Sequence, residues 1–230
     1  MKKNLVVLSG AGISAESGLK TFRGSDGLWE NHKVEDVATP DAWRRNPELV
    51  TRFYNERRHQ LLEVEPNKAH RLLAELESHF NVQIITQNVD NLHERAGSTN
   101  VLHLHGELTK VRSTGPYKEI FELTPDKYEV KIGDMCPLGY QLRPHIVWFG
   151  EEVPEIETAM VLTGNADIFL VIGTSLNVYP AAGLLNYVPA KTLIYLIDPE
   201  DVNTYSHNIQ HIKNGASEGM REFATLIKSS

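Results

Sequence analysis

Histidine exchanges a proton more readily near neutral pH than any other ordinary side chain. The segment His103-Leu104-His105-Gly106 sets two of them at spacing two, on one side of an extended chain. Residues 101–104 read as a short strand, so His105 stands at its end, where Gly106 leaves room for a substrate. A structural role is the plain alternative for any one of ten histidines; position at a strand end marks His105 as a candidate base. The apolar run 82–85 leads straight into Thr86-Gln87-Asn88-Val89-Asp90-Asn91. Amides and a carboxylate there lie at the carboxyl end of a buried strand, the edge of an open parallel sheet that holds the ligand. The other reading makes Asn88 and Asp90 caps for a helix over 92–96 that Gly97 ends.

A third group of residues suits phosphate. Leu5, Val6, Val7 and Leu8 form a run typical of a strand buried on both faces. Gly10, Gly12 and Ala15 follow at G-x-G-x-x-A spacing, with Ser14 and Glu16 suited to a helix start. In a dinucleotide cradle Gly10 permits the tight turn, Gly12 admits the pyrophosphate and Ala15 lets the helix pack on the strand. Such a glycine pair also makes a simple turn. An ordinary dehydrogenase would continue with a long helix, a second strand and an acidic residue about 20 positions on. Here Gly18, Gly24, Ser25, Asp26 and Gly27 interrupt the pattern, so residues 18–36 read as a long loop. Long ordered loops are usually functional. With Thr21, Phe22 and Arg23 in its middle and Trp29 closing it, this one reads as a flap over the cofactor, Arg23 being available to a phosphate. A disordered insertion is the alternative, against which Phe22, Leu28 and Trp29 argue. A second turn of the same character, Gly173-Thr174-Ser175-Leu176, follows the strand 167–172, and Gly215, Ala216 and Ser217 lead into a closing helix.

The elements that position these groups alternate. Pro40 and Pro47 flank a short helix containing Trp43, and 48–65 form a longer one ended by Pro66. Its stripe runs Val50, Phe53, Tyr54, Arg57, Leu61, Val64. An arginine on a buried stripe needs an anion, unless it snorkels past or pairs with a nearby glutamate. Asn67 caps the next helix, through Leu72, Leu73, Leu76 and Phe80. Residues 107–142 are the least regular part and read as a small insertion; 143–151 return to strand character, 177–180 to a short extended piece, and 193–197 to another strand. At least four apolar strands thus empty into polar turns with helices between them. The fold class expected is α/β, a Rossmann-type parallel sheet domain with a smaller inserted domain.

Composition narrows the function. The 230 residues, 41% hydrophobic and 23% charged, suit one large soluble domain with a small insertion. A net charge of −7 without basic runs argues against nucleic-acid binding. Cys136 is the one cysteine, so an internal disulfide and a four-cysteine zinc site are excluded. Four strongly apolar residues near the start are too few for a signal peptide or membrane span, and a cytoplasmic enzyme is expected.

As a set the motifs resemble the sirtuins, NAD-dependent protein-lysine deacylases, of the bacterial type. The blocks are GAGIS at 10–14, TFR at 21–23, TQNVDNLH at 86–93, HLHGE at 103–107, RPHIVWFGE at 143–151 and GTSLNVYPA at 173–181, in family order across nearly the whole chain. The resemblance implies one catalytic unit over 1–230. Its Rossmann-type part covers about 1–30, 80–106 and 143–230, with smaller parts at about 31–79 and 107–142 and NAD, consumed as co-substrate, in the cleft. His105 matches the base that acts on a ribose hydroxyl, and Asn88 and Asp90 match the catalytic residues that hold the nicotinamide ribose and amide. The acyl oxygen attacks the ribose carbon as nicotinamide leaves, and the acyl group passes to ADP-ribose. Gly10, Ala11, Gly12, Ser14, Thr21, Phe22, Arg23, Trp29, Gln87, Val89, Gly173, Thr174, Ser175 and Ala216 match further cofactor contacts. Val147, Phe149-Gly150-Glu151 and Asn177-Val178-Tyr179 match two strands that clamp an acylated-lysine peptide by strand addition. Tyr54 and Arg57 match the Tyr-x-x-Arg pair of members that take acidic acyl groups such as succinyl, malonyl or glutaryl, and Ala38 the small residue of a wide acyl pocket. One departure stands out: Ser113 occupies an expected zinc-cysteine position. No zinc is expected, the small part being held by residues such as Tyr117, Ile120, Phe121, Leu123 and Tyr128. The expected state is a monomer without nucleic-acid or membrane partners. The rival readings are a non-catalytic NAD or ADP-ribose module, a nicotinamide dehydrogenase and a mono-ADP-ribosyltransferase.

Overall fold

Strand β1 (Asn4–Ser9) has no solvent-facing side: Leu5 and Val7 enter one core, Val6 and Leu8 another. An apolar run without alternation behaves this way in a sheet covered on both faces. The computed structural model describes residues 2–20, 28–29, 32–176, 178–201 and 209–228. After β1 come a single helical turn, α1 (Gly12–Ala15), the short strands β2 (Leu28–Trp29) and β3 (His32–Lys33), and the helices α2 (Val34–Val37), α3 (Pro40–Arg45), α4 (Pro47–Glu63) and α5 (Lys68–Leu76). Next are β4 (Asn81–Thr86), α6 (Leu92–Arg95), β5 (Val101–His103), β6 (Gly106–Ser113), β7 (Ile120–Glu122) and β8 (Leu142–Ile146). The remaining elements are α7 (Ile156–Gly164), β9 (Ile168–Ile172), a 3-10 segment Ala181–Tyr187, β10 (Leu193–Ile197), β11 (Ile209–Ile212) and α8 (Ala216–Lys228). None of the described helices is long and apolar enough to cross a membrane.

The α/β architecture forms as expected. Six parallel strands run in the order β11-β10-β9-β1-β4-β5. Strand order reverses between β1 and β9, and in open parallel sheets the crevice at such a point binds the ligand. Leu73 of α5 and Phe223 of α8 cover one face, Ala159 of α7 and Leu184 the other. Thr39, Asn46 and Asn67 cap α3, α4 and α5 by accepting the N–H groups of Ala42, Leu49 and Ala69. A third core, including Ala38, Val50, Phe53, Tyr54, Leu108, Ile146 and Trp148, joins the helical part 34–63 to a small antiparallel sheet.

That sheet corrects the reading of 107–142 as irregular. Strand β6 is eight residues long and lies between β7 and β8. Strand β8 pairs there too, whereas the sequence placed residues 143 onward in the large part. These strands bury one face only, so Glu107, Lys110 and Arg112 interrupt the apolar signal. Nor do Tyr117 and Ile120 hold this part, since three short strands form too thin a layer to bury them; they are 78% and 53% exposed. Val111, Val130 and Cys136 are buried instead. Ser113 Oγ donates to Cys136 Sγ (3.3 Å). The Gln141 carboxamide donates to the carbonyls of Lys131, Asp134 and Leu142 and accepts the Gly133 N–H.

Between α5 and α6 the fully buried rings of His70 and His93 stand 4.9 Å apart. His93 Nε2 bonds the Ser9 hydroxyl (3.0 Å) and His70 Nδ1 donates to Asn67 Oδ1 (3.1 Å). Burial pushes His70 down to about 4; it also lowers His93 well below its ordinary value, as do its neighbours His70 and His103. Both rings are neutral in the folded chain, whereas the unfolded chain takes up protons below about pH 6.5. Stability is therefore intact above that pH and is lost as pH falls toward 4, with roughly 3 kcal/mol at stake for His70. Melting temperatures recorded from about pH 7 to pH 4.5 should fall less steeply for His70→Gln than for wild type; parallel curves would contradict this.

Candidate active site

The turns after β1 and β9 touch. Gly12 N–H donates to Gly173 O (2.8 Å) and Gly10 N–H to Ile172 O (3.0 Å). A Cβ on Gly12 would lie 2.6 Å from Gly173 Cα, and Gly173 has φ +64°. The close approach that the spacing assigned to a pyrophosphate at Gly12 is thus first an approach of one turn to another. Gly10, Ala11, Gly12, Gly173, Thr174 and the exposed Ser175 are gathered at the reversal of strand order. Gln87 Nε2 donates to Thr174 Oγ1 (3.1 Å), tying in the turn after β4. Ala216 opens α8, whose first turn is fastened by Glu16: its carboxylate accepts the Ser217 N–H (3.2 Å).

Beside this cradle runs a buried polar chain. Asn88 Nδ2 donates to Ser14 Oγ (3.1 Å), which donates to Asp90 Oδ2 (3.0 Å). Asp90 Oδ1 accepts the Leu92 N–H (3.1 Å), so the same carboxylate that meets Ser14 also holds the first residue of α6. Burial raises its pKa against the opposing bonds from Leu92 and Ser14. The Val89 carbonyl accepts the Leu108 N–H (2.8 Å), fastening the same turn to the small sheet.

The two histidines divide. His103 donates from Nδ1 to the Asn88 carbonyl (3.0 Å) and from Nε2 to Glu94 (2.7 Å). Burial opposes its charge, but the Glu94 bond and charge outweigh that and raise its pKa. With both ring nitrogens donating, His103 keeps no lone pair to act as a base. His105 donates Nδ1–H to the Gln87 carbonyl (3.0 Å), which leaves Nε2 carrying the lone pair. Burial lowers its pKa although the Gln87 bond opposes this, so the ring is a neutral, competent base at pH 7. Gly106 makes room for protein rather than substrate: a Cβ there would lie 2.0 Å from the His145 carbonyl oxygen.

The substrate-side residues gather around α4. Tyr54 is buried, its hydroxyl accepting Trp148 Nε1–H (3.1 Å), and Trp29 meets Phe53 and Tyr54 edge-on at 5.2 and 6.1 Å. Trp29, assigned to the cofactor by resemblance, packs against α4. Arg57 lies 4.8 Å from the Phe53 ring centroid. Sequence reasoning missed Arg58, although it lies four residues after Tyr54 and fits the stripe equally well. It donates to the Leu108 carbonyl (2.7 Å) and Asn55 (2.9 Å), and burial lowers its pKa to about 10. The carbonyl of Ala38 accepts the Phe149 N–H (3.0 Å), and the Val147 N–H donates to the His105 carbonyl (2.9 Å).

The two clamp segments are not strands. Phe149 and Gly150 form a turn with φ +89° at Gly150, closed by Glu151 N–H to the Trp148 carbonyl (2.9 Å). Val178 and Tyr179 bend into the 3-10 segment. Neither piece has a neighbouring strand here to complete a ladder. The Glu151 side chain bonds Arg143, Arg112 and the Trp148 N–H rather than facing outward. Thr21, Phe22, Arg23 and Asn177 lie outside the described residues.

A dinucleotide fits this arrangement. Glycine turns that exclude any Cβ leave backbone beside the crevice, and the buried Ser14–Asp90–Asn88 chain and His105 stand at its edge. Fold and site together define a dinucleotide-using enzyme built on a doubly wound sheet. Residues 10–180 match the Sir2 family, and the chain belongs to it. It is 62% identical over 229 residues to an NAD-dependent protein deacylase of Bacteroides thetaiotaomicron, covering 98% of each. Among solved structures it is similar to a mutant Sir2 homologue in complex with ADP-ribose, at 41% identity and TM-score 0.88 over 99% of this chain and 93% of that one. It is also similar to a Sir2 homolog–NAD complex, at 40% identity and TM-score 0.84 over 99% and 90%. His105→Ala should lower nicotinamide release by about a hundredfold or more while calorimetry shows ADP-ribose affinity little changed. The wild-type rate should fall on an acidic limb centred below pH 6.5, because the His105 pKa is depressed.

Proposed function

We propose that this Sir2-family chain is an NAD-dependent deacylase of acyl-lysine proteins that favours acyl groups ending in a carboxylate, such as succinyl, malonyl or glutaryl. One observation carries the acidic preference. Among the described residues Arg57 Nε and Nη1 are buried and have no hydrogen-bond partner, and Nη2 makes a 3.8 Å ion-pair contact with the half-exposed Glu56. Buried donors left unmade cost about 1–3 kcal/mol each. A distal carboxylate supplies the missing acceptor. The Tyr54 hydroxyl already accepts from Trp148, so its own hydrogen remains to donate to the same carboxylate. Burial raises the Tyr54 pKa, which keeps the phenol protonated for that purpose. Ala38, whose side chain is one methyl group, leaves the pocket wide.

When bound, NAD would supply an electrophilic ribose carbon, whose bond to nicotinamide breaks as the acyl-amide oxygen of the substrate bonds to it. The glycine turns would hold the phosphates, and the Asn88–Ser14–Asp90 chain would orient the nicotinamide end. His105 Nε2 would accept the proton of a ribose hydroxyl. The turn 147–151 and residues 178–179 would receive the peptide backbone by strand addition, which brings a ladder partner that they do not have among the described residues.

The direct experiment compares acetyl-, succinyl- and glutaryl-lysine peptides with NAD, using mass spectrometry to separate acyl loss from gain of ADP-ribose. A charge-assisted bond is worth about 1.5–3 kcal/mol, so Arg57→Met should cut desuccinylation up to about a hundredfold more than deacetylation. Equal losses would remove the assignment. We also propose that the small sheet needs no zinc. Among the described residues no three His, Cys, Asp or Glu side chains are grouped to hold a metal, and Ser113 and Cys136 bond each other. Metal analysis of purified protein should find no stoichiometric zinc, and a chelator should leave the melting temperature unchanged.

A further inference from the structure

A cluster of three charges lies behind the turn proposed to receive the peptide. Glu151 accepts from Arg143 at both oxygens (Nη1 and Nη2, each 3.0 Å), from Arg112 Nη2 (2.9 Å) and from the Trp148 backbone N–H (2.8 Å). The Arg143 guanidinium lies 3.5 Å from the Trp148 ring centroid, and Nη2 also donates to the Ile146 carbonyl (2.9 Å). The indole N–H of Trp148 reaches Tyr54, Phe149 N–H reaches Ala38, and Val147 N–H reaches His105. Three substrate-side features are thus fastened to one stretch, residues 146–151, whose shape this carboxylate fixes. A buried ion pair contributes little net stability, because desolvation opposes the attraction. What a carboxylate with four donors does fix is geometry. Burial works against ionisation of Glu151, but the Arg143 and Trp148 bonds and the two arginine charges hold its carboxyl below the usual range.

We propose that Glu151, gripped by Arg143 and Arg112, is a positioning residue for acyl-lysine. It sets Trp148 and the turn 147–150 so that peptide segment, catalytic histidine and Tyr54 phenol stay in register. The part concerning acyl selectivity rests on the acidic-acyl reading above; the part concerning peptide placement does not.

The test measures kcat and KM for acetyl- and succinyl-lysine peptides and for NAD in Glu151→Gln, alone and combined with Arg57→Met. Exchanging a charge-assisted set for neutral bonds should raise the peptide KM about tenfold and leave the NAD KM within about twofold. The succinyl-to-acetyl ratio of kcat/KM should drop with Glu151→Gln in the wild-type background and stay unchanged in the Arg57→Met background, where no reader remains to misplace. Arg143→Lys keeps the charge but loses the two-point grip, so it should reproduce the pattern more weakly; it also serves if Glu151→Gln does not fold. An unchanged KM for acetyl peptide, or peptide and NAD KM rising together, would overturn the proposal. A wild type whose succinyl preference does not depend on Arg57 would refute the acidic-acyl reading instead, with the acetyl-peptide KM still deciding the role of Glu151.

Discussion

The reactive side of this molecule depends on two backbone turns in contact. Strands β1 and β9 are parallel neighbours, so the chain leaves both at the same edge and at the same height. Two ordinary turns would collide there. Glycine at 10, 12 and 173 removes the Cβ atoms that would meet the opposing backbone, and the turns lock by direct hydrogen bonds. The other attachments are arranged around that junction. Gln87 reaches across to Thr174, Ser14 joins Asn88 to Asp90, and Glu16 fastens the start of α8.

Environment, not residue type, then assigns the histidines their roles. His103 and His105 are two residues apart and each donates Nδ1–H to a carbonyl of the same turn. The difference lies at the second nitrogen. Glu94 accepts from His103 Nε2 and raises the pKa of that ring, while His105 keeps its lone pair and burial lowers its pKa. His70 and His93, packed against each other, are held neutral by burial. Four histidines within 36 residues thus show three behaviours, each set by what the ring nitrogens meet.

This explains what the sequence made legible. Strands buried on both faces carry an unbroken apolar run, so β1, β4, β9 and β10 and their polar exits could be read directly, and with them Asn88, Asp90, His105 and the glycine turns. Strand β6 buries one face and carries Lys110 and Arg112, so its regularity was hidden; β8 reads as a strand, but nothing local shows that it pairs with β6. Arg58 was missed because a stripe at spacing three or four admits two adjacent positions, and only packing tells which is bonded to the small sheet. The partners of Glu151 are 8 and 39 residues away, one of them on another strand, a distance no local pattern spans. Residues 149–150 and 178–179, expected as strands, are turns or bends because a strand needs a neighbour to complete its ladder.

The two sides of the cleft handle polar groups in opposite ways, and the contrast is informative. At the glycine turns Asn88, Ser14 and Asp90 are bonded in one chain and Gln87 is bonded to Thr174, so these polar groups already have partners within the protein. On α4 Arg58 is bonded through Nε and Nη1 with Nη2 left over, while its neighbour Arg57 keeps both Nε and Nη1 buried and without a partner among the described residues, against an aromatic face. Buried polar groups nearly always have a partner, so each such donor calls for an acceptor from water, an ion or a ligand. On the proposed reading, the bonds already made hold the cofactor and the unfilled ones meet the group that varies from substrate to substrate. Discrimination among acyl groups is therefore expected to reside in α4 rather than in the sheet.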